Sequence, residues 1–238
     1  FRTPYEVGVY NAALPTAFLM YIIPSTLLTL FIPVLTELYA KDKKDSFEAL
    51  TKRITKWILS LNLILLGIFY MFSRQILQIL FGDDYIGGST VLILLSTGYF
   101  VGFVLTPSTK VLVITKKTKL VFVNTVIITL VNIILNFYLI PIYGINGAAI
   151  ATSFAFLVRF ILLFVQSYIV LKISPFGLSS LKVLSSAIGS FLVVKFLISS
   201  FSITITVYSI VFLSVLFILV YLILLILSTI MHIFYRGQ

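Results

Sequence analysis

The sequence has no cysteine and a single histidine, His232. The first absence excludes a disulfide framework, thiolate chemistry and any cysteine-built metal site; the second leaves almost no material for a histidine-based one. Acid is scarce as well, with seven Asp and Glu against seventeen Lys and Arg in 238 residues. Only 10% of the residues are charged and 61% are hydrophobic, whereas a soluble domain carries about 25% charged residues. A chain so poor in charge is an integral membrane protein. The net charge of +10 would suggest nucleic acid in a soluble protein. Here the cations sit between apolar runs, so topology accounts for them and no nucleic acid partner is expected. Enzyme chemistry lacks its materials too: there is no paired central carboxylate, no Ser/His/Asp set and no phosphate-binding glycine loop. No cofactor and no metal are expected.

What is present is length of apolar sequence. A helix needs about 20 apolar residues to cross the hydrocarbon core, and seven stretches qualify: 11–38, 54–72, 91–114, 120–140, 145–171, 183–200 and 205–230. This predicts an all-α membrane protein of about seven transmembrane helices. The first residue is Phe1 rather than Met, no signal peptide is evident, and the chain reads as the C-terminal part of a longer protein.

The cations alternate by side. Lys41, Lys43, Lys44, Lys52, Arg53 and Lys56 follow the first span, Lys110, Lys116, Lys117 and Lys119 close the third, Lys172 and Lys182 follow the fifth, and Arg236 lies in the tail. The other side holds only Arg2 and Arg74, thirteen against two, with Arg159 and Lys195 left inside spans. The positive-inside rule then places the basic connections and the C-terminus in the cytoplasm. Residues 1–10, 73–90, 141–147 and 201–204 face outward on this reading.

Three features modulate the helices. The segment "DSFEALTKRITKW" begins with Asp45 and has Glu48 three residues on, the pattern of a capping box. Its apolar residues Phe47, Leu50, Ile54 and Trp57 recur at helical spacing, so that face is expected to lie on the membrane, with Trp57 as an interfacial anchor. Pro15, Pro24 and Pro33 in the first span each remove a backbone hydrogen bond, which predicts a kinked helix. The "GDDY" turn, Asp83 and Asp84, is read as turn chemistry rather than a metal site.

The candidate site residues are polar groups inside spans. In the fifth span a 100° step places Gly144, Ala148, Thr152, Ala155, Arg159 and Gln166 on one face. Small residues let helix backbones approach closely, so this face is expected to meet protein or a cavity rather than lipid. Arg159 lies about fourteen residues, roughly 20 Å, from either end of its span, too deep for easy snorkelling. A central Arg costs about 2.5–3.5 kcal/mol to insert even on the gentler scale, and no span offers a central carboxylate; Glu37 sits only at the end of the first. Its partner is therefore polar side chains, water, protein outside this chain or an anionic substrate. Lys110, beside Pro107 in "LTPST", is a second cavity candidate, although it can also snorkel. Lys195 lies near a membrane surface and is read as snorkelling. Asn124, Thr125, Thr129, Asn132 and Asn136 share one broad sector of the fourth span; they either glue helices together or bind a ligand.

The segments "VGVYNAA" (7–13), "LFGDDYIGGSTVLILLS" (80–96) and "NIILNFYLIPIYGINGAAIATS" (132–153), with the basic loops between them, resemble the polysaccharide-biosynthesis flippases. These are the Wzx-type members of the MOP superfamily, which also holds the MATE drug exporters and the lipid II flippases. "LNFYLIPIYGINGAAIAT" is the most specific piece, and the resemblance covers roughly residues 1–171. It implies two six-helix lobes around a central cavity, of which this chain supplies helices eight to twelve in residues 1–171 and two additional C-terminal helices in 172–238. The N-terminal lobe would be a partner contributed by the rest of the protein. The resemblance also implies a substrate, a lipid-diphosphate-linked oligosaccharide moved from the inner to the outer leaflet by alternating access. It transfers no particular cation. A MATE-like cation-coupled exporter is the competing reading; it calls for buried carboxylates, which these spans lack. A scaffold subunit without transport of its own is a third.

Overall fold

The computed structural model describes residues 3–200 and 207–236. It is helical throughout, with no strand among the described residues: α1 (Pro4–Phe18), α2 (Ile22–Ala40), α3 (Lys44–Phe81), α4 (Ser89–Val104), α5 (Thr106–Ile114), α6 (Thr118–Ile169), α7 (Leu178–Ser200) and α8 (Val207–Arg236). Among the described residues, six helical stretches are long and apolar enough to cross a membrane. One of the six, α6, reverses direction at Gly144, where φ is 62° and ψ −137°, so the chain makes seven crossings. Only glycine enters that backbone region without strain. The two arms of α6, 118–143 and 145–169, run back along each other. Asn124 and Gln166 exchange two hydrogen bonds of 2.8 Å, and Asn132 Nδ2 donates to Thr152 Oγ1 at 3.4 Å. Gly147 sits so close to the Leu139 carbonyl that a Cβ there would collide with it.

The prolines act unequally. The first span is interrupted by a short 3-10 segment, Leu19–Tyr21, between α1 and α2. Pro24 follows directly; it cannot donate to the carbonyl four residues back and its ring crowds that turn. Pro15 and Pro33 lie inside continuous helix. A second break, at Leu105, separates α4 from α5 just before Pro107. The expected capping box at Asp45 and Glu48 does not form. The N-cap of α3 is Lys43, with no side-chain hydrogen bond, and Glu48 instead pairs with Lys52 at 2.7 Å and accepts from the Ser174 N–H. A capping box does form at the start of α1, between Thr3 and Glu6. The apolar face of this segment is also not laid on the membrane. Phe47 and Ile54 are buried against Leu28 and Leu35 of α2 and Val111 of α5; only Trp57 keeps an exposed flank.

The connections gather on two opposite sides. On one, the Lys117 ammonium donates to the Val170 carbonyl at 2.6 Å and Glu48 reaches Ser174, which ties together the chain around 41–48, 115–119 and 170–177. On the other, the Tyr5 hydroxyl donates to the Asp84 carbonyl at 2.6 Å, and Gln78 donates to Asp83 at 2.7 Å. In the "GDDY" turn the Asp83 carboxylate is thus engaged by Gln78, whereas Asp84 takes part through its main-chain carbonyl; no cluster able to hold a metal occurs among the described residues. The three basic connections 41–48, 115–119 and 170–177 are thus together in space, as are the start of α1 and the turn at 83–84; Arg2 and 201–204 lie outside the described residues.

The tightest helix contact joins α4 to the second arm of α6. Gly98 lies against the backbone of Ser153 and Gly102 against Phe156, and the Ser153 hydroxyl crosses to the Leu94 carbonyl at 2.7 Å. Helices without side chains at the crossing approach closely enough for such contacts, which is how apolar helices associate in lipid. α7 and α8 pack on each other and on α3. Phe217 fills the notch left by Gly67, and the Tyr221 and Ser60 hydroxyls share a hydrogen bond of 2.6 Å.

Candidate functional site

The Gly102 contact sets up the site. Because α4 presses on the second arm of α6, Phe103 and Phe156 meet edge to face at 5.3 Å. Arg159, three residues beyond Phe156 on the same helix face, lays its guanidinium over both rings, 5.8 Å from the Phe103 centroid and 5.9 Å from that of Phe156. The aromatic bed extends along α4 and into the first helix break: Tyr99 stacks on Phe103 at 5.3 Å, and Phe18, which ends α1, and Tyr21, which closes the 3-10 segment, contact Phe103 at 5.9 and 5.1 Å. A cation over an aromatic face gains about 0.5–1 kcal/mol, and 2 or more when desolvated. That is comparable to the insertion penalty of a central Arg on the gentler scale. The rings therefore offset part of the cost without consuming any of the five N–H donors.

Those donors remain unspent. Among the described residues Arg159 makes no hydrogen bond and no ion pair. The side chain borders a cavity of about 240 Å³ between α5 and the two arms of α6, lined also by Thr109, Asn124, Thr125, Thr129 and Phe156. The Thr109 hydroxyl is buried there without a hydrogen-bond partner. The lining is largely apolar, with Val121, Ile128 and Leu163, and sets into it one permanent cation, hydroxyl and amide groups and no carboxylate. Such a surface can receive an oxyanion and a hydroxyl-rich neighbour; it has nothing to attract a second cation.

The sequence candidates divide accordingly. Arg159 and Asn124 share this cavity, and Asn124 is half committed by its amide pair with Gln166. Asn132 and Asn136 lie outside it, toward the Gly144 turn: Asn132 joins the two arms of α6 through Thr152, while Asn136 Nδ2 folds back within the first arm onto the Asn132 carbonyl at 2.9 Å and Asn132 Oδ1 at 3.0 Å. Lys110 is half-buried on α5 beside Thr109, with no hydrogen bond or ion pair among the described residues, and does not line the cavity. Lys195 is exposed on the outer flank of α7. Sequence reasoning missed Thr109 and the aromatic bed. Phe156 stands three residues from Arg159 and could have been paired with it; Phe103, Tyr99, Phe18 and Tyr21 belong to other elements, and no spacing in the sequence announces their convergence.

The geometry has counterparts among known proteins. The MatE family model matches residues 3–138, more than half of the chain. A probable low-salt glycan biosynthesis flippase, Agl15 of Haloferax volcanii, is 29% identical over 163 residues, 68% of this chain and 34% of that protein. The capsular polysaccharide biosynthesis protein CapF of Staphylococcus aureus is 24% identical over 151 residues, 63% of this chain and 38% of that protein. The chain thus spans little more than a third of the curated relatives it matches. Among solved structures, the lipid II flippase MurJ in an inward closed conformation superposes with a TM-score of 0.72 at 22% identity, covering 94% of this chain and 48% of that one. This likeness in fold extends over the C-terminal helices, where the sequence resemblance had nothing specific to offer. An all-helical membrane fold with a Gly144 hairpin, matched over its first 138 residues by the family model, places the chain in the MatE family of the MOP superfamily.

Proposed function

We propose that this chain is part of the C-terminal lobe, with two additional helices, of a flippase that moves a lipid-diphosphate-linked oligosaccharide from the inner to the outer leaflet. The observation that carries the reading is the state of Arg159: a permanent cation in mid-span, held by aromatic faces and left with its N–H groups unused beside a hydroxyl- and amide-lined cavity. A guanidinium so placed is suited to a diphosphate, whose oxygens it can take in pairs, while Asn124, Thr125 and Thr129 offer hydrogen bonds to sugar. The names carried by the relatives support the substrate class, since they concern glycan and polysaccharide biosynthesis. The remainder of the cavity would come from the lobe preceding this chain, and alternating access from rocking of the two lobes. The basic side is the cytoplasmic one on this reading, with the C-terminus there and the whole in the cell membrane. Lys110 sits one residue beyond Thr109 and would add positive potential at the cavity's edge.

The competing reading, a cation-coupled drug exporter, is disfavoured by the same site, whose one ionised group repels a cationic cargo. The full-length protein reconstituted in liposomes separates the two. Labelled lipid-diphosphate-sugar should be translocated by wild type, largely lost with Arg159→Gln and retained with Arg159→Lys at equal incorporation. Equal activity of all three would make Arg159 structural. Export of a cationic dye without movement of the lipid-linked sugar would replace the flippase reading by the exporter one.

A further inference from the structure

The cations outside the cavity form a second pattern. On the side where the 41–48, 115–119 and 170–177 segments meet, several are already satisfied. Lys41 pairs with Glu37, Lys44 with Asp42 at 3.6 Å, Lys52 with Glu48 at 2.7 Å, and Lys117 with a carbonyl. The side-chain cations of six others, Arg53, Lys56, Lys116, Lys119, Lys172 and Lys182, make no hydrogen bond or ion pair among the described residues. The opposite side presents Arg74 together with Glu6, Asp83 and Asp84. The molecule therefore has one rim with an unanswered positive charge and one without.

Two of these six stand beside a membrane-surface marker. Trp57 is 38% exposed and Leu61 44%, and Arg53 is exposed four residues before Trp57. The three lie on one stripe of α3, in the order cation, indole, aliphatic. Trp57 rests against Phe31 of α2 with ring centroids 5.5 Å apart, and it stands at the basic end of an apolar run, the position that aromatic side chains favour at headgroup depth. Lys56 adjoins it. A guanidinium one turn toward the aqueous side of an interfacial indole is at the level of lipid phosphates, and it takes phosphate oxygens two at a time. Zwitterionic lipids bring their own ammonium to that level; anionic lipids do not, so a surplus of protein cation selects the latter.

We propose that Arg53 and Lys56, beside Trp57, form a binding site for the headgroups of anionic phospholipids on the basic rim. The occupant is lipid rather than free phosphate, because the same stripe continues into exposed apolar surface at Leu61 that acyl chains cover. The assignment is independent of what the cavity carries.

Trp57 is the single tryptophan of this chain and serves as the probe. The full-length protein, with any tryptophan elsewhere replaced by Phe, is reconstituted in mixtures of brominated phosphatidylglycerol with plain phosphatidylcholine, and in the reverse pairing. Trp57 quenching then reports which lipid sits beside it. Each basic residue at the surface corresponds to roughly a fivefold preference, so with two of them brominated phosphatidylglycerol should quench at a mole fraction lower by about 5- to 25-fold. The preference should fall toward one in Arg53→Gln/Lys56→Gln, persist in Arg53→Lys, and be unaffected by Lys52→Gln, whose ammonium is already paired. Equal quenching by the two lipids overturns the proposal. So does a preference that survives the double substitution, which would place the selectivity elsewhere, and so does an indole that no brominated lipid reaches, which would mean that protein covers the stripe.

Discussion

Replacing Gly98 by Ala tests the contact on which the site is built. A Cβ on Gly98 would run into the Cα of Ser153 and stand 2.6 Å from its Oγ and 2.7 Å from its Cβ. The obstacle is helix backbone, not the tip of a flexible side chain, so α4 and the second arm of α6 must part. Overpacking of this kind costs about 1–3 kcal/mol. Parting the helices also stretches the Ser153 hydroxyl bond to the Leu94 carbonyl, 2.7 Å long, and interhelical bonds of this type average about 0.6 kcal/mol in a membrane. Against this stands the helix preference of Ala over Gly, about 1 kcal/mol. The net is a loss of about 0.5–2.5 kcal/mol, or roughly 1–10 °C in Tm for a chain of this size. Gly8→Ala supplies the reference: it lies inside α1 and nothing stands within 4 Å of its Cβ position, so only the propensity gain remains and stability should rise. The assay is thermal unfolding of the detergent-solubilised full-length protein, followed by Trp57 fluorescence and by loss of the monodisperse peak. If Gly98→Ala is as stable as Gly8→Ala, the two helices do not touch as described, and the placement of Arg159 over Phe103 loses its support.

Three further outcomes follow from the same contacts. In a double-mutant cycle of Asn124→Leu and Gln166→Leu, the amide pair between the arms of α6 should show a coupling of about 0.6–1.7 kcal/mol; additivity would place the side chains apart. Gly144→Ala forces a side chain into the backbone region at φ 62° and ψ −137° and should cost about 1–3 kcal/mol, measured as a lower Tm, whereas unchanged stability would mean that the reversal uses another residue. Asn62 is fully buried with neither amide atom hydrogen-bonded; Asn62→Leu removes polar groups that cost about 1–3 kcal/mol when unsatisfied, so the variant should melt higher, and a lower melting point would count against an unpaired amide.

Much of the fold was legible because a bilayer enforces a simple rule: apolar length and the alternation of cations mark crossings and sides without reference to tertiary contacts. The hairpin was legible for a second reason, since "IPIYGING" offers a glycine where the direction must reverse. Helix ends were less so. Asp45 and Glu48 satisfy the letter of a capping box, but the helix is capped two residues earlier, at Lys43, and the Glu48 carboxylate finds Lys52 and the Ser174 N–H, the latter 126 residues away. The amphipathic face of the same segment suggested lipid, because periodicity reports only that a face is apolar, not whether α2 or a membrane covers it. At the site, the depth of Arg159 could be counted along the helix. What holds it could not, since its aromatic bed is assembled from α1, the 3-10 segment, α4 and α6.

α3 bends at Phe72, where φ is −127° and ψ 19°; the stretch before the bend, 44–71, is about 42 Å of helix, longer than the hydrocarbon thickness of about 30 Å. Toward the bend this rod is gripped by Phe217 at Gly67 and by Tyr221 at Ser60. It is in effect a lever with its bearing inside the bilayer. From Gly67 to Lys44 the arm measures about 35 Å, so a rotation of about 10° sweeps its basic tip through about 6 Å. Displacements too small to notice around the bearing become large at the rim, and whatever holds Lys44, Lys52 and Arg53 has a mechanical advantage over the core.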